Sequence, residues 1–197
     1  MSKIIGLTGQ SGSGKTTVSE IFRQNGFGII NCDLEARQVT ETGSDCNKKL
    51  AEHFPQCFDK AFRLDRRKLA SEVFSDKTKL ELLDSIIYPH INNRINKAID
   101  SFSKDCQYIL LDAPTLFEAG ADKLCDVIVA VTADKDIRLK RIIKRDGISN
   151  ELAEKRFSCQ QSEDFFEREC DYVIRNNDST EDVQNETLRI IKLIKER

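Results

Sequence analysis

Residues 9–16 read Gly9-Gln10-Ser11-Gly12-Ser13-Gly14-Lys15-Thr16, and no other stretch says as much about the fold of this chain. They fit the phosphate-binding pattern G-x-x-x-x-G-K-[ST] at every fixed position. Glycines let the backbone curl so that successive N–H groups can point at phosphate oxygens. The lysine reaches the β- and γ-phosphates, and the threonine hydroxyl binds Mg²⁺. The stretch therefore predicts a nucleotide-binding loop.

The sequence on either side of this loop supports the same prediction. Residues 3–8 are typical of a short buried strand, and residues 17–22 are typical of the helix that follows it. Phosphates would then lie at a helix N-terminus, where the helix dipole favours anions. The alternative is a Gly/Ser-rich loop that merely precedes a helix, and the order strand, loop, helix argues against it. We expect the nucleotide-binding residues of the loop to be Gly12, Ser13, Gly14, Lys15, Thr16 and Thr17.

Length and composition suit one compact domain that carries a small insertion. The chain has 197 residues, of which 39% are hydrophobic and 32% charged, so a core of ordinary size can form without cross-links. Lysine and arginine together number 31, against 33 aspartates and glutamates. This balance argues against a broad nucleic-acid-binding surface.

Cysteine usage and the absence of long apolar runs bear on the compartment. Seven cysteines with no C-x-x-C spacing, and only two histidines, argue against a disulfide framework or a zinc site. We expect most of the cysteines to be small packing residues in a reducing compartment. The first residues go directly into a predicted strand, and no apolar run is long enough to span a bilayer. The sequence thus predicts a cytoplasmic protein that binds neither membrane nor nucleic acid.

Four further apolar runs predict strands, and long helical patterns lie between them. Runs that are nearly continuously apolar are expected in a parallel sheet covered by helices on both faces. We therefore predict an α/β fold with a parallel five-stranded sheet flanked by helices. The further runs cover residues 27–32, 107–111, 126–131 and 171–175.

Residues 33–105 form the longest connection and contain several helical patterns but almost no strand signal. An apolar stripe from Leu80 to Ile99 has mixed three- and four-residue spacings, with Pro89 inside it. We expect a helical insertion there, with a kink or break near Ile87-Tyr88, because proline disrupts helix hydrogen bonding. The predicted single domain then has a core of residues 1–32, 106–137 and 170–197.

Residues that follow the predicted strands are candidates for chemistry, because ligands bind beyond the carboxyl ends of strands in parallel α/β sheets. Asp33 follows the second run and could accept the proton of an attacking hydroxyl, although capping of the helix that begins at Leu34 explains it equally well. Asp112 ends the third run and resembles a Walker B aspartate, whose carboxylate orients Mg²⁺. A turn residue at a strand end is the alternative for Asp112.

Arg138, Arg141 and Arg145 fall on one face of a predicted helix, because they are spaced i, i+3 and i+7. A second helical pattern carries Arg156 and Gln160 at i and i+4, and Gly147 and Ser149 separate the two patterns. Such an arginine-bearing helical hairpin, predicted over residues 138–169, could close over bound ATP as a lid and neutralise the transferring phosphoryl group. A solvated charged face is the alternative for the stripe.

Together these residues resemble the dephospho-coenzyme A kinase family, a family of P-loop kinases, over essentially the whole chain. The most specific similarities are Asp33-Leu34-Glu35-Ala36-Arg37 to the family's D-x-x-A-R block and Asp112-Ala113-Pro114-Thr115-Leu116-Phe117-Glu118 to its D-x-P-L-L-F-E block. Further similar blocks are Ile5-Gly6-Leu7-Thr8-Gly9, Leu64-Asp65-Arg66-Arg67-Lys68-Leu69, Val73-Phe74-Ser75-Asp76, Ile86-Ile87-Tyr88-Pro89-His90-Ile91, Arg138-Leu139-Lys140-Arg141, Arg156-Phe157-Ser158-Cys159-Gln160 and Asp171-Tyr172-Val173-Ile174-Arg175-Asn176.

Three positions depart from the family pattern. Asn31 stands where the family has the first aspartate of a D-A-D block, Tyr88 replaces a histidine before Pro89, and Thr115 replaces a leucine. Asp33, the base in the family, is retained, so we expect the chemistry to be retained as well. The sequence leaves the roles of Asn31 and Tyr88 open.

The resemblance implies ATP-dependent phosphorylation of the ribose 3′-hydroxyl of dephospho-coenzyme A, the last step of coenzyme A synthesis. It also implies a P-loop kinase fold with a helical acceptor-binding insertion and a helical lid, in a monomer or weak homo-oligomer. The implied catalytic residues are Asp33, Lys15, Arg141 and Arg145, and the implied Mg²⁺ ligands are Thr16 and Asp112. The implied nucleotide-binding set adds Arg141 and Asn176, and the implied substrate-binding residues are Asp33, Arg37, Arg66, Pro114, Leu116, Phe117 and Glu118.

Two other functions stay open on the residues alone. One is a kinase for another small acceptor such as a nucleoside monophosphate, and the acceptor segment 33–118 argues against it. The other is a nucleotide-dependent switch. A GTPase would need an N-K-x-D motif, and the nearest stretch, Val131-Thr132-Ala133-Asp134, lacks the asparagine and the lysine.

Overall fold

The computed structural model describes residues 2–74, 76–158, 160–177 and 179–197. Within them the chain forms two compact units, one made of the chain up to Ile30 with Phe102–Arg197 and the other of Asn31–Ser101. The predicted division into one domain with an insertion over residues 33–105 stays a prediction. Ser75 and Cys159, which occur in the sequence blocks above, lie outside the described residues.

Strands and helices alternate in the first unit, whereas helices dominate the second. The strands are β1 (Lys3–Gly9), β2 (Gly28–Asn31), β3 (Tyr108–Asp112), β4 (Val127–Thr132) and β5 (Tyr172–Arg175). The α-helices are α1 (Lys15–Gln24), α2 (Cys32–Val39), α3 (Asp45–His53), α4 (Arg66–Phe74), α5 (Lys77–Phe102), α6 (Lys135–Asp146), α7 (Asn150–Ser158), α8 (Glu163–Glu169) and α9 (Thr180–Glu196).

The strands lie in the order β2-β3-β1-β4-β5, so β1 is central. It pairs in parallel with β3, where Leu7 lies opposite Asp112, and with β4, where Leu7 lies opposite Val129. β4 in turn pairs in parallel with β5. The predicted parallel five-stranded sheet is confirmed. The carboxyl ends of its strands therefore meet at one edge, which is where ligands bind in such sheets.

The core of the first unit lies between the sheet and helices α1 and α9. Ile5 and Leu7 of β1, Val18 of α1 and Ile194 of α9 are all fully buried. Each such side chain contributes about 1.5–3 kcal/mol when it leaves water. This packing fixes the positions of β1 and α1, the two elements that the phosphate loop connects.

Pro89 does not break its helix. α5 runs without interruption from Lys77 to Phe102, so a break near Ile87-Tyr88 is wrong, whereas the alternative of a kink stays a prediction. Proline removes one helix hydrogen bond, but Ile91 and Ile95 of the same helix are buried and their packing outweighs that loss. The chain therefore stays helical on both sides of the proline.

The described helices include none that is both long and apolar enough to cross a membrane. None of the cysteines that the structure describes is in a disulfide. Cys46 and Cys57 are buried in the second unit, as are Leu50, Phe54 and Leu69, so these two cysteines act as small packing residues.

Pro89→Ala should raise the free energy of unfolding by about 1–2 kcal/mol. Proline inside a helix costs about 3 kcal/mol relative to alanine, and part of the gain is offset because alanine gives the unfolded chain more freedom. Denaturant unfolding followed by circular dichroism measures the change. Asn93→Ala, at another exposed position of α5, is the control and should stay within about 0.5 kcal/mol of wild type. An unchanged stability in Pro89→Ala would contradict the argument.

Candidate active site

The phosphate loop leaves β1 and enters α1 at two places where only glycine fits. Gly9 has a φ of +150°, and a Cβ there would lie 2.2 Å from the carbonyl oxygen of Val131 on β4. Gly14 has a φ of +94°, and a Cβ there would lie 2.1 Å from Nδ2 of Asn176. The two glycines therefore let the loop turn tightly against its neighbours.

Helix α1 begins with backbone donors that nothing in the described chain uses. Among the described residues no side chain caps this N-terminus, and the first turn holds no acidic residue. The N–H groups of Gly12, Gly14, Lys15 and Thr16 have no partner within the described part of the chain, and neither has the buried hydroxyl of Ser13. Free donors at the positive end of a helix dipole form an anion-binding site.

Lys15 and Asp112, predicted from two distant parts of the sequence, form an ion pair. The Lys15 ammonium donates a hydrogen bond to Oδ1 of Asp112, and the two side chains are 17% and 11% exposed. Asp112 reaches this position because it ends β3, directly beside β1. A cation and a carboxylate thus stand next to the free amides, which is the set of charges that binds a nucleotide together with a metal ion.

Asn176, just after β5, holds the loop from the other side. Its Nδ2 donates to the Ser13 carbonyl oxygen at 2.7 Å, and its backbone N–H donates to the Thr132 carbonyl oxygen at 2.8 Å. Arg141 donates to Oδ1 of Asn176 at 3.2 Å and to the Gly12 carbonyl oxygen at 3.3 Å. Because both side-chain polar atoms and the backbone N–H of Asn176 form hydrogen bonds, the cost of its burial is offset and it fixes the loop geometry.

A pocket of about 290 Å³ opens where these residues meet. Four of the residues predicted to bind nucleotide line it, although they come from three separate parts of the fold: Gly14, Thr17, Arg141 and Asn176. The structure thus brings together the loop, α6 and the end of β5, as the family pattern implied. The remaining lining residues are Thr180 and Val183.

The arginine stripe on α6 divides into three different environments. Arg138 is buried, lies 4.4 Å from the ring centroid of Phe157 and donates to the Ala133 carbonyl oxygen, and its burial lowers its pKa. Arg141 contacts the loop as described above. Arg145 is largely exposed and pairs with Asp146. The stripe is therefore not one surface, and the predicted role of Arg145 stays a prediction.

Asp146 at the end of α6 binds two arginines of the helical hairpin. Arg145 donates to both of its carboxylate oxygens, and Arg156 of α7 donates to Oδ2 at 2.6 Å. These hydrogen bonds, those of Arg145 first, lower the pKa of Asp146 to about 2. The carboxylate thereby links α6 to α7 across the turn that joins them.

In the second unit, Asn31 takes the capping role that the sequence left open for Asp33. The Asn31 side chain accepts a hydrogen bond from the Leu34 N–H at 2.9 Å and so caps α2. Asp33 is exposed, and its carboxylate has no partner in the described part of the chain. The position that departs from the family pattern thus has a structural role, and Asp33 remains available for chemistry.

The cations near α2 differ in their partners. Arg37, one turn after Asp33, is exposed, and its guanidinium has no partner among the residues described. Arg66 instead donates to the Arg37 carbonyl oxygen at 3.0 Å and to the Thr40 hydroxyl, and so holds the end of α2. Arg94 is occupied as well, by Glu35 at 2.7 Å. Arg37 is therefore the cation on α2 that is free to meet a ligand.

The segment after β3 mixes exposed and buried residues. Pro114 and Glu118 are exposed, and the Phe117 ring packs edge-on against Phe165 at 5.0 Å. Leu116, by contrast, is fully buried against β1, where a Cβ on Gly6 would lie 2.7 Å from it. Its burial does not support the prediction that Leu116 binds substrate, because the side chain shows no surface to a ligand.

The parallel sheet with β1 at its centre, the loop of free amides before α1 and the helical hairpin α6–α7 define a P-loop kinase. A sequence model of dephospho-CoA kinase matches residues 3–182. The chain belongs to the dephospho-CoA kinase family, whose members use ATP to carry out the last step of coenzyme A biosynthesis.

Individual relatives agree with this assignment. The chain is 38% identical to the dephospho-CoA kinase of Fusobacterium nucleatum over 191 residues, which cover 97% of this chain and 98% of that protein. Among solved structures, TT1252 from Thermus thermophilus has a TM-score of 0.84 at 29% identity, with 97% of each chain covered. Dephospho-CoA kinase from Campylobacter jejuni has a TM-score of 0.74 at 26% identity, with 98% of each chain covered. The predicted fold, family and enzyme class are confirmed, with ATP as co-substrate and a small molecule as substrate.

The predicted place of Gln160 on the second helix of the hairpin is wrong, because α7 ends at Ser158 and Gln160 is not helical. Gln160 instead contacts the phosphate loop, a role that sequence reasoning did not give it. Its place in the R-x-x-x-Q block was the available signal, but a sequence does not reveal which surface the glutamine meets. The capping role of Asn31 was also missed. Asparagine before a helical pattern is a common cap, and that signal was present.

Carbon-detected NMR titration of the folded protein should give the Asp146 carboxyl a pKa of about 2. Because this pKa is lowered on folding, the stabilisation by the ion pairs is full above the ordinary value of 3.8 and is lost as the pH falls through about 2. Arg145→Ala should return the pKa toward 3.8 further than Arg156→Ala does, since the hydrogen bonds of Arg145 have the larger effect. A wild-type pKa near 3.8 would contradict the two-arginine arrangement.

Proposed function

We propose that this chain transfers the γ-phosphoryl group of ATP to the ribose 3′-hydroxyl of dephospho-coenzyme A, giving coenzyme A and ADP. The observation that carries the proposal is the phosphate loop with its free amides, in a chain that the family model matches over residues 3–182. The oxygen of the 3′-hydroxyl attacks the γ-phosphorus, and the bond from that phosphorus to the bridging oxygen of ADP breaks. The proton of the hydroxyl passes to a carboxylate.

The phosphates of ATP bind to the loop in this proposal. Four free amides of the loop donate to phosphate oxygens, namely those of Gly12, Gly14, Lys15 and Thr16. The buried hydroxyl of Ser13, which is also without a partner in the described chain, is a further donor. The Lys15 ammonium reaches the β- and γ-phosphates. Thr17 and Asn176 line the adjoining pocket, which suits the nucleoside part of ATP.

Mg²⁺ fits the oxygen donors at the start of α1 and the end of β3. The Thr16 hydroxyl has no partner among the described residues, and the second carboxylate oxygen of Asp112 has none either. Mg²⁺ is commonly bound by one or two protein oxygens together with water and substrate phosphates, so this donor set is sufficient. When bound, the ion would neutralise charge on the phosphate oxygens.

Asp33 is the general base in this proposal. Its exposed carboxylate has no partner in the described chain, since Asn31 caps the helix in its place. Arg37 lies one helical turn further on with its guanidinium free and binds the acceptor, while Arg66 positions that turn through the Arg37 carbonyl oxygen. Pro114, Phe117 and Glu118 complete the proposed acceptor-binding set.

Arg141 and Arg145 stabilise the transferring phosphoryl group in this proposal. Arg141 already touches the Gly12 carbonyl oxygen on the loop, so a small movement of its side chain brings it to a phosphate. Arg145 must first leave Asp146. In doing so, Arg145 exchanges a carboxylate partner for a more highly charged phosphate. Positioning and electrostatics of this kind supply most of the catalysis in phosphoryl transfer.

We further propose that the protein acts in the cytoplasm as a monomer or weak homo-oligomer. The cysteines, which are odd in number at seven and include no C-x-x-C pair, support a reducing compartment. Binding to membranes or nucleic acids is not part of the proposal.

ATP-dependent conversion of dephospho-coenzyme A to coenzyme A by the purified chain is the direct test. Coenzyme A should form in equal amount with ADP, and phosphorus NMR should locate the new phosphate at the ribose 3′ position. Nucleoside monophosphates, tested at the same concentrations, should be poor acceptors. Faster transfer to a nucleoside monophosphate would replace the proposed acceptor.

Asp33→Asn should lower kcat by a factor of about 10²–10⁴, the usual contribution of a general base. The Kd of a non-hydrolysable ATP analogue should stay within about twofold, because the substitution leaves the loop amides and Lys15 unchanged. Isothermal calorimetry and the coenzyme A assay give the two numbers. Glu35→Gln, a matched loss of charge on the same helix, should keep kcat within about threefold. Wild-type turnover in Asp33→Asn would remove Asp33 as the base.

A further inference from the structure

Gln160 makes a two-point contact with the phosphate loop. Its side-chain carbonyl oxygen accepts a hydrogen bond from the Ser11 N–H at 3.1 Å, and its amide nitrogen donates to the Ser11 hydroxyl. The two residues lie 149 positions apart in the chain, so the contact exists only in the folded unit. A side-chain amide that gives one hydrogen bond and takes one from the same residue fixes both its own orientation and that of its partner.

A second hydrogen bond joins the same two segments, between the residue before Ser11 and the residue after Gln160. Gln10, which is buried, donates from its side chain to the carbonyl oxygen of Gln161 at 3.1 Å. Consecutive residues of the loop, Gln10 and Ser11, are therefore bound to consecutive residues that follow α7. We call this set of hydrogen bonds, made by Gln10 and Ser11 with Gln160 and Gln161, the loop bridge.

The loop bridge does not use the donors that the phosphates need. It occupies the Ser11 N–H, whereas the N–H groups of Gly12, Gly14, Lys15 and Thr16 stay free within the described chain. The bridge therefore leaves the anion site open and acts on the part of the loop that precedes it. Loss of the bridge should leave nucleotide binding largely intact.

The loop bridge also fixes the helical hairpin α6–α7 to the loop. Arg141 of α6 contacts the Gly12 carbonyl oxygen, and the chain that leaves α7 contacts Ser11 through Gln160. Within the hairpin, Arg138 and Phe157 stack on each other. The hairpin is thus attached to neighbouring loop residues at two points.

Packing alone does not hold the segment that carries Gln160. A cavity of about 540 Å³ lies beside it, lined by Gln10, Phe157, Gln160 and Gln161 among others. Gln160 is itself partly exposed. Hydrogen bonds, rather than a filled core, therefore determine where this segment lies against the loop.

We propose that Gln160 is a positioning residue for phosphoryl transfer, which keeps the hairpin docked on the phosphate loop through Ser11. With the bridge intact, Arg141 is held next to the loop and water is kept from the γ-phosphate. Without it, ATP still binds, but the hairpin spends less time in the arrangement that transfers the phosphoryl group. This inference rests on the proposed function for its acceptor.

Gln160→Ala should lower kcat for coenzyme A formation by about tenfold, while the Kd of a non-hydrolysable ATP analogue changes by less than about threefold. Phosphate released to water per phosphoryl group transferred should rise, because the hairpin excludes water less well. Ser11→Ala removes only one of the two hydrogen bonds and should lower kcat by about threefold. The double variant should be no slower than Gln160→Ala alone, since both changes act through one contact.

Gln184→Ala is the matched control, because this exposed glutamine of α9 has no side-chain partner in the described chain and belongs neither to the loop bridge nor to the proposed binding sites. It should keep kcat and the hydrolysis ratio within about twofold of wild type. Thermal unfolding of each variant confirms that it is folded. A kcat for Gln160→Ala equal to that of the control, or additive losses in the double variant, would overturn the positioning role.

The same experiment separates this inference from the proposed function. If the wild-type chain does not phosphorylate dephospho-coenzyme A, the proposed function fails by itself. ATP hydrolysis per bound nucleotide then tests Gln160 without an acceptor, and it should be faster in Gln160→Ala than in wild type. An unchanged hydrolysis rate in that case would overturn the role of Gln160 too.

Discussion

The active-site edge of the sheet depends on one steric constraint, the close passage of the phosphate loop past its neighbours at Gly9 and Gly14. A single Cβ at either position would come within about 2.2 Å of Val131 or Asn176. Only because these atoms are missing can the loop turn sharply enough to leave four of its amides without a partner among the residues that the structure describes. Unused donors are costly in a folded protein, so a rigid frame of β1, β4 and α1 must keep them from finding partners of their own.

Charged groups around the loop are held in place by contacts that leave room for a ligand. Lys15 pairs with Asp112, and Arg141 is bound by Asn176 and a loop carbonyl. These partners orient each side chain before a nucleotide arrives, which lowers the cost of reorganisation during the reaction. Asp146 does the same for Arg145 on the more exposed part of the hairpin. These ion pairs therefore hold the cationic side chains in defined positions. Those at the surface add little to the stability of the folded protein, because exposed ion pairs contribute little free energy.

Helix α2 shows how a neighbour can free a functional group. Asn31 satisfies the helix N-terminus, and Asp33 keeps its carboxylate exposed and unpaired within the described chain. An aspartate two residues into the helix would otherwise be a good candidate to interact with those same amides. The departure at Asn31 is thus compatible with the proposed role of Asp33 as general base.

The sequence by itself determined the phosphate loop, the parallel sheet and the family, because each depends on local spacing or on apolar runs that only one kind of structure accommodates. It could not decide which of several plausible side chains meet. The arginines on α6 looked equivalent by spacing, and the fold buried Arg138, brought Arg141 to the loop and left Arg145 outside. Likewise, only tertiary packing carried α5 through Pro89 and brought Gln160 to Ser11, since contacts between distant residues depend on burial and geometry that no local pattern encodes.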